Sequence, residues 1–369
     1  MRAVIASLAL WLVVAGIATA EPTAQWPLFR GDAQATGVAA GKLPEKLELL
    51  WKYDIPNGAF EGTPAIVDGV VYLGDLDGRI LALHLATGKV KWEKKFETGF
   101  NASPAVKDGL LYIGDLDGVF HCLSLADGAE QWKHETMAEI NSSANFYKDQ
   151  VLIGSQDATL YSLNAKSGEI TWKFAIADQI RCSPTVIENR CFLAGCDGKL
   201  HIVDLDKGEA VADVPIESPT GSTPAARGEM VYFGNEGGVF FGINWKEAKT
   251  IWTWQDERRT QAFRSSAAVT DKAVIIGGRD KVVRAFEPLS NKEIWKFTTR
   301  RAVDSCPVVV GNRVYVAVTD GNLYALNLAD GKEVWKYEAG GGFSGSPAIA
   351  DGKLVIANDK GTVFCFGGK

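Results

Sequence analysis

A tryptophan recurs along most of this chain at intervals of about 40 residues. The series consists of Trp51, Trp92, Trp132, Trp172, Trp252, Trp295 and Trp335, and Ala212 stands at the one register that lacks it. Self-similarity at such a fixed period is typical of folds that grow by adding one supersecondary unit at a time. The eight registers therefore predict eight copies of one structural unit.

Each copy contains four short β-rich runs that are separated by turn-forming residues. A small residue followed by Pro or Ala opens the first run, as in Ser103-Pro104, and Asp-Gly or a similar pair ends it. A Gly-Asp-x-Asp-Gly turn follows the second run, and a Thr-Gly-Lys type turn precedes the run that carries the Trp. Gly, Asp and Asn at these points favour tight hairpins. Each copy is thus predicted to be a four-stranded antiparallel meander, with strands A to D.

One meander cannot bury both of its faces, so the sheets are expected to pack face to face around an axis. The prediction is an all-β, eight-bladed β-propeller with strand A nearest the axis and strand D at the rim. The C-terminus supplies only strands A, B and C of the last blade, whereas the segment around Trp51 is a strand D with no strands before it. We expect these two segments to share one sheet, because ring closure removes unpaired edges.

The recurring tryptophans are interpreted as structural. A large ring on the outer strand is expected to dock against the neighbouring blade, beside the small residues of that blade's strand A. The expected cost of a Trp→Ala change is about 3–5 kcal/mol.

The N-terminus predicts export. Arg2 is followed by an apolar run over residues 3–17 and by Ala18-Thr19-Ala20, the pattern of a signal peptide at residues 1–20 that is cleaved after Ala20. The run is shorter than the roughly 20 residues of a membrane span. We expect a periplasmic or secreted monomer with no membrane span after cleavage, built from a lead-in segment at 21–46 and the propeller at 47–369. The net charge of −6 gives no footprint for nucleic acid.

The Thr-Gly-Lys/Glu turn before Trp, the Ser-Pro-Ala/Val that follows it, and Gly-Asp-x-Asp-Gly together resemble the pyrroloquinoline-quinone-like (PQQ-like) repeat family. The opening Trp26-Pro27-Leu28-Phe29-Arg30-Gly31-Asp32 is similar to the lead-in of secreted members. In size and blade count the chain is closest to the BamB-type outer-membrane assembly propellers. The resemblance covers nearly the whole mature chain and implies an eight-bladed propeller, but the family includes both quinoprotein dehydrogenases and non-catalytic propellers.

Departures from the dehydrogenases favour a non-catalytic protein. The resemblance implies that those enzymes carry a vicinal Cys pair over the quinone and an acidic base with Ca²⁺ ligands, but no two Cys are adjacent here. We therefore predict no catalytic residues and no cofactor, and expect a BamB-like scaffold that binds a protein partner. The alternative is a PQQ-binding quinoprotein with Ca²⁺, or a small-ligand-binding propeller, that uses the channel mouth.

The similarity to the BamB-type members is itself partial. Ile180-Arg181 matches the apolar-Arg pair that those members use for docking. Thr220-Gly221-Ser222 stands where their acidic pair is expected, and the chain has no Cys near the cleavage site to carry a lipid.

The D-to-A loops are expected to surround the mouth of the central channel. The position two before each Ser/Thr varies widely, and the residue before it is mostly apolar. The candidate interaction face comprises Glu61, Asn101, Asn141, Arg181, Arg264 and Asp304, with Gly221 and Ser344 at the two remaining registers. These side chains either recognise a partner or are simply solvated and hydrogen-bonded between blades.

In one D-to-A loop the spacing from Trp252 to Ser266 is three residues longer than the usual eleven. It contains Trp254, Arg258 and Arg259, which are residue types that often anchor protein contacts. Insertions in repeat proteins commonly lie on the binding face, although a longer loop is also a tolerated change. These three residues complete the candidate interaction face.

Metal ligands are not predicted, because the Asp-Leu-Asp-Gly hairpins lack the distal Glu of a calcium loop and read as turns. Six Cys in an exported chain raise the question of disulfides. Cys182, Cys191 and Cys196 fall in one blade, and the sequence leaves open whether two of them form a bridge.

Overall fold

The computed structural model describes residues 24–258 and 260–369. The predicted signal peptide at 1–20 and Arg259 lie outside the described residues. All regular elements in the described ranges are β-strands. No helix in that part of the chain has the length and apolarity needed to cross a membrane.

The strands form eight antiparallel sheets, as predicted. Blade 1 contains β3 (Ala65–Val67), β4 (Val70–Gly74), β5 (Arg79–His84) and β6 (Val90–Lys95). Blade 2 contains β7 (Ala105–Lys107), β8 (Leu110–Gly114), β9 (Val119–Ser124) and β10 (Glu130–Glu135). Blade 3 contains β11 (Asn145–Tyr147), β12 (Gln150–Ser155), β13 (Thr159–Asn164) and β14 (Ile170–Ala175). Blade 4 contains β15 (Thr185–Ile187), β16 (Arg190–Ala194), β17 (Lys199–Asp204) and β18 (Glu209–Pro215).

The remaining blades follow the same order. Blade 5 contains β19 (Ala225–Arg227), β20 (Met230–Gly234), β21 (Val239–Asn244) and β22 (Lys249–Gln255). Blade 6 contains β23 (Ala268–Val269), β24 (Val274–Gly277), β25 (Val282–Phe286) and β26 (Glu293–Thr298). Blade 7 contains β27 (Val308–Val310), β28 (Arg313–Ala317), β29 (Asn322–Asn327) and β30 (Glu333–Glu338). Blade 8 contains β31 (Ala348–Ala350), β32 (Lys353–Ala357) and β33 (Thr362–Gly367), with β2 (Glu48–Asp54) as its strand D.

Ring closure occurs where it was predicted. Strand β2 pairs antiparallel with β33, and Trp51 lies opposite Cys365 in the register. Strands A of several consecutive blades contact one another, including β31 of the last blade and β3 of the first. The N-terminal strand therefore completes the C-terminal sheet, and strands A surround the axis.

The tryptophans on strand D connect neighbouring blades, but at a different place from the one expected. The indole Nε1 of Trp92 donates to the carbonyl of Leu125 in the next blade at 3.0 Å, and the indoles of Trp51 and Trp295 make the same contact one blade on. A Cβ on Gly128, which follows Leu125 in that turn, would lie 2.9 Å from the Trp92 ring. The expectation that the ring docks beside strand A was wrong, because it packs on the turn that precedes strand D.

Trp245 occupies the space at the register that lacks a recurring tryptophan. Its side chain is buried, its ring centroid lies 5.6 Å from that of Phe192 in blade 4, and it packs in the same cluster as Ala212. The Nε1 donates to the carbonyl of Gly228 at 2.9 Å. The large ring of Trp245 from blade 5 thus fills the space that the small side chain of Ala212 leaves on blade 4.

The lead-in segment runs along the inner edges of strands A. Backbone N–H groups of Val106, Val186, Ala226, Val269 and Val309 donate to its carbonyls at 2.7–2.8 Å, and Trp26 exchanges two such bonds with Ile66. Strand β1 (Val38–Ala39) pairs parallel with β27, so blade 7 has five strands instead of the expected four. With Asn145 Nδ2 bonded to the carbonyl of Ala33, residues 26–39 contact seven of the eight blades.

Candidate functional site

The D-to-A loops and the B-to-C turns lie on one side of the propeller, which we call the mouth face. In each blade a backbone N–H of the B-to-C turn donates to a carbonyl of the adjacent D-to-A loop. Leu76 donates to Ala59 at 2.9 Å in blade 1, and Gln156 donates to Glu139 at 3.0 Å in blade 3. This pairing gives the mouth face a hydrogen-bonded framework.

A closed ring of hydrogen bonds lies beneath the mouth. The small residue that opens each blade donates its backbone N–H to the side chain of the equivalent residue in the next blade, at 2.9–3.1 Å. The members are Thr63, Ser103, Ser143, Ser183, Thr223, Ser266, Cys306 and Ser346. The ring explains why this position prefers a short hydroxyl side chain.

The residue just before each mouth position is an anchor. Phe60, Phe100, Ile140, Ile180 and Phe343 are each 0% exposed. Such burial requires a Gly at the end of a facing strand B, because a Cβ on Gly74 would lie 2.7 Å from the Cβ of Phe100. Alternation of the chain then turns the following side chain toward the channel mouth.

The predicted mouth residues surround a cup on the axis. Its volume is about 160 Å³, and Phe29 of the lead-in segment lines it together with the hydroxyl ring. All six mouth candidates also line it: Glu61, Asn101, Asn141, Arg181, Arg264 and Asp304. The structure therefore places these six together, and the lead-in segment limits the depth of the cup.

The charges at the mouth are unevenly neutralised. Arg264 Nε lies 2.9 Å from Glu236 Oε1, and Asp304 accepts two bonds of 2.9 Å from Arg279. This hydrogen bonding raises the pKa of Arg279. Arg181 contacts only the side-chain oxygen of Gln179, at 3.1 and 2.7 Å, and makes no ion pair with the described residues. Arg181 thus presents a guanidinium that is not engaged by a carboxylate of the described residues.

A second hollow, of about 360 Å³, opens beside the cup over blade 5. Thr220 and Gly221 line it, and the absence of a side chain at Gly221 leaves room between Arg181 and Arg264. Cys196 also borders it, and burial raises the pKa of this thiol. The hollow has the size of a small-ligand site, and it is continuous with the mouth because the two cavities share both arginines.

The long D-to-A loop differs from its prediction at Trp254. Trp254 lies within β22 and is half-buried, and its ring stacks under Arg284 with the guanidinium carbon 4.4 Å from the ring centroid. The buried Arg284 pairs with Asp280. Trp254 is thus a packing residue between blades 5 and 6, whereas Arg258 lies exposed in the loop.

Hairpin carboxylates and cysteines serve the fold. Asp75 Oδ1 accepts the backbone N–H groups of Asp77 and Arg79 at 3.0 and 2.7 Å, which is a turn arrangement. In the described part of the chain no group of three or more His, Cys, Asp or Glu could hold a metal ion. All six Cys are free, so no disulfide forms among Cys182, Cys191 and Cys196.

Sequence reasoning missed Arg30 and Arg279. Arg30 is 1% exposed and donates through Nη2 to the carbonyls of Ala267 and Pro307, at 3.1 and 2.5 Å. Burial lowers the pKa of Arg30. Arg30 stands within the lead-in pattern, but nothing in the local sequence indicates contacts with blades 6 and 7. Arg279 replaces the Leu of the Asp-Leu-Asp turns, which was a usable signal.

Eight sheets around an axis, each with four antiparallel strands and one joined by a fifth from the N-terminal segment, define this protein as an eight-bladed β-propeller with a polar mouth. The sequence matches the family model described as outer membrane protein assembly factor BamB over residues 44–181, 117–211, 156–282 and 279–367. The chain therefore belongs to this family of PQQ-like repeat propellers. No curated protein sequence is significantly similar to it.

Solved structures show the same fold at low sequence identity. BamB from Moraxella catarrhalis is 19% identical, with a TM-score of 0.74 over 88% of this chain and 98% of that one. The quinohemoprotein alcohol dehydrogenase from Comamonas testosteroni is 15% identical, with a TM-score of 0.80 over 94% of this chain and 81% of that one. The computationally designed Ika8 protein is 16% identical, with a TM-score of 0.78 over 87% and 100%. These likenesses establish the fold alone.

Proposed function

We propose that this chain is a non-catalytic, extracytoplasmic binding scaffold that presents its mouth face to another protein. The observation that carries the proposal is Arg181. Its guanidinium is exposed, lies next to the side-chain gap at Gly221, and contacts only a neutral amide oxygen among the described residues. An arginine in this state offers several donors to a carboxylate or carbonyl on a partner.

The way the mouth is built supports the proposal. Each mouth residue stands between a buried anchor or a buried Thr and a member of the hydrogen-bonded ring, so its backbone is held rigidly. Binding surfaces on rigid elements lose little conformational entropy when a partner docks. The family description, an outer membrane protein assembly factor, also favours a role through protein contacts.

The residues of the mouth do not fit a quinone with Ca²⁺. A calcium ion takes six to eight oxygen ligands, including carboxylates. The acidic residues that line the cup are Glu61 and Asp304, and both carboxylate oxygens of Asp304 are bonded to Arg279. Phe29 and the uncharged side chains of the hydrogen-bonded ring line the deeper part of the cup. This donor set favours the scaffold over the quinoprotein alternative.

Photo-cross-linking in the native envelope tests the proposal. A cross-linking amino acid at Asn101 or Ser344, both on the mouth, is expected to capture a specific protein. The double variant Arg181→Glu and Arg264→Glu is expected to lose that product. The matched control, Lys89→Glu with Lys166→Glu, reverses two exposed charges on the C-to-D turns of the opposite face and is expected to retain it.

Retention of the same cross-linked protein by the Arg181→Glu and Arg264→Glu variant would refute the mouth as the docking face. Equal loss in the control pair would show that net charge, and not the mouth, governs the contact.

The quinoprotein alternative has its own test. PQQ with Ca²⁺ is added to the purified protein, and the unfolding temperature and the visible spectrum are recorded. We expect no thermal shift and no bound chromophore after gel filtration. A saturable shift that requires both additions would replace the scaffold with the alternative.

Export is tested by the mass of the mature protein. Cleavage after Ala20 predicts a chain that begins at Glu21 and is recovered outside the cytoplasm. A cytoplasmic protein that retains residues 1–20 would contradict the proposed compartment.

A further inference from the structure

Basic side chains of the mouth face are concentrated on one side of the axis. They come from the two D-to-A loops and the B-to-C turn at blades 5 to 7, a region that we call the basic sector. Its members are Arg258, Arg264, Arg279, Lys281, Arg300 and Arg301.

These segments form one continuous surface. The backbone N–H of Arg279 donates to the carbonyl of Ala262 at 3.2 Å, which joins the B-to-C turn of blade 6 to the loop that precedes it. The N–H of Thr299 donates to the carbonyl of Lys281 at 2.8 Å, which joins the same turn to the loop that follows. The three segments that carry the six cations therefore lie side by side.

Two of the six cations have ion-pair partners, and the acidic residues Asp256 and Glu257 stand in the same loop as Arg258. Arg264 and Arg279 pair with Glu236 and Asp304. In the described ranges, Arg258, Lys281, Arg300 and Arg301 make no ion pair, and the three arginines are exposed. A cluster of weakly hydrated guanidinium groups with several free donors suits carboxylates, which arginine binds in a bidentate manner.

The opposite side of the same face carries the reverse charge. The D-to-A loops that lead into blades 1 to 3 and the B-to-C turns of these blades form an acidic sector, to which each loop or turn contributes at least one acidic side chain. Its members are Glu61, Asp77, Glu97, Asp117, Glu139 and Asp157. Of these, Asp77 makes an ion pair with Arg79.

We propose that the basic sector is the docking site for an acidic peptide segment of the protein partner. This inference rests on the proposed function and names the chemistry of the contact. The acidic sector disfavours two other ligands for the basic sector, an anionic membrane and a long polyanion. Either of them, laid across the mouth face, would meet like charges on the acidic side. A short acidic segment covers the basic sector alone, and repulsion from the other half fixes its orientation.

The test uses the purified mature protein and a fluorescein-labelled octapeptide that contains four glutamates. The control peptide replaces each glutamate by glutamine. Fluorescence anisotropy at low salt is expected to show saturable binding of the acidic peptide only, with an affinity that falls steeply as salt is raised. The triple variant Arg258→Glu, Arg300→Glu and Arg301→Glu is expected to bind about tenfold more weakly or worse.

A matched variant separates location from net charge. Lys89→Glu, Lys166→Glu and Lys207→Glu make the same total charge change on exposed turns of the opposite face and are expected to leave peptide affinity within about twofold. Circular dichroism and the unfolding midpoint of each variant confirm that it is folded. Equal weakening in both triple variants, or no binding of the acidic peptide to the wild type, would overturn the proposal.

Self-association is the competing outcome, because a face with opposite charges on its two halves is complementary to a second copy of itself. If sedimentation velocity shows a salt-sensitive dimer that the triple variant of Arg258, Arg300 and Arg301 abolishes, the occupant of the basic sector is a second copy of this chain and not an acidic peptide. A wild-type monomer supports the acidic peptide.

Cross-linking separates this inference from the proposed function. If the triple variant of Arg258, Arg300 and Arg301 keeps the captured protein while an Arg181→Glu variant, which leaves every member of the basic sector in place, loses it, the acidic-segment inference fails and the scaffold stands. If both variants keep it, the mouth face itself is wrong. Loss of the captured protein in both variants supports both the proposed function and the acidic-segment inference.

Discussion

The backbone N–H of Ser346 in the last blade donates to the side-chain oxygen of Thr63 in the first blade, over 3.1 Å. This bond completes the ring of contacts between the residues that open the blades. Both residues are buried, so the N–H of Ser346 depends on this acceptor.

Removing that acceptor is expected to destabilise the protein. Thr63→Val keeps the shape of the side chain but leaves the buried N–H of Ser346 without a partner, at a cost of about 1–3 kcal/mol. Urea denaturation followed by tryptophan fluorescence measures the change. Thr63→Ser, which retains the oxygen, is the control and is expected to remain close to wild type. Identical losses in the two variants would show that the methyl group, and not the bond, matters.

The packing of the strand D tryptophans predicts a graded series at Trp92. Trp92→Ala removes a buried ring and is expected to cost about 3–5 kcal/mol. Trp92→Phe keeps most of the ring but loses the bond from Nε1 to the carbonyl of Leu125, so it should fall between Ala and wild type. Val90→Ala, at an exposed position of the same strand, is the control. A Phe variant as unstable as the Ala variant would contradict the graded interpretation.

His134 predicts a pH-dependent contribution to stability. Burial, followed by the nearby charge of Lys173, lowers the pKa of His134 below its usual value of 6.5. The folded state thus prefers the neutral ring, so this contribution is present above the unfolded-state pKa and is lost as the pH falls through the folded-state pKa. Unfolding free energies near neutral pH and near pH 5 are expected to differ less in His134→Phe than in wild type. An unchanged difference would exclude His134 as its source.

The cysteines are expected to react very unequally with thiol reagents. Burial raises the pKa of Cys182 to about 12, and it also raises the pKa of Cys191. In the native protein at mildly alkaline pH, the partly exposed Cys196 should react with a disulfide reagent before the five buried thiols, because the reagent can reach it, although burial raises its pKa as well. Unfolding without a reductant should release all six. Cys196→Ser should remove the fast phase, and fewer than six thiols after unfolding would reveal a disulfide.

The lead-in segment predicts complementation in trans. A chain that starts at Leu43 leaves the N–H groups of Val106, Val186 and Ala226 on strands A without acceptors, so its unfolding midpoint should drop. A synthetic peptide of residues 24–41 is expected to restore the midpoint in a saturable manner. The same peptide with Arg30→Glu, which places a carboxylate against the carbonyls of Ala267 and Pro307, should fail. Full stability of the shortened chain would contradict the structural role of the segment.

The number of blades and the closure by Trp51 were predictable because each repeat carries its turns and its Trp in a fixed local order. The grouping of Arg181 and Arg264 at the mouth followed from the same register. Trp254 was misplaced because strand D of blade 5 extends to Gln255, and the reason is a tertiary contact, Arg284 on the next blade. The path of the lead-in segment was not predictable either, since its bonds join backbone groups that carry no side-chain signature.

The contacts of residues 26–39 also bear on the order of folding. These residues leave the ribosome before any blade, yet they bond to strands as distant in sequence as Val309. Their final position is therefore unavailable until seven blades have been delivered. Blades can pair with their neighbours early, but the N-terminal segment reaches its final position last, so the folding chain passes through a stage in which its inner strand edges are bare and open to other chains.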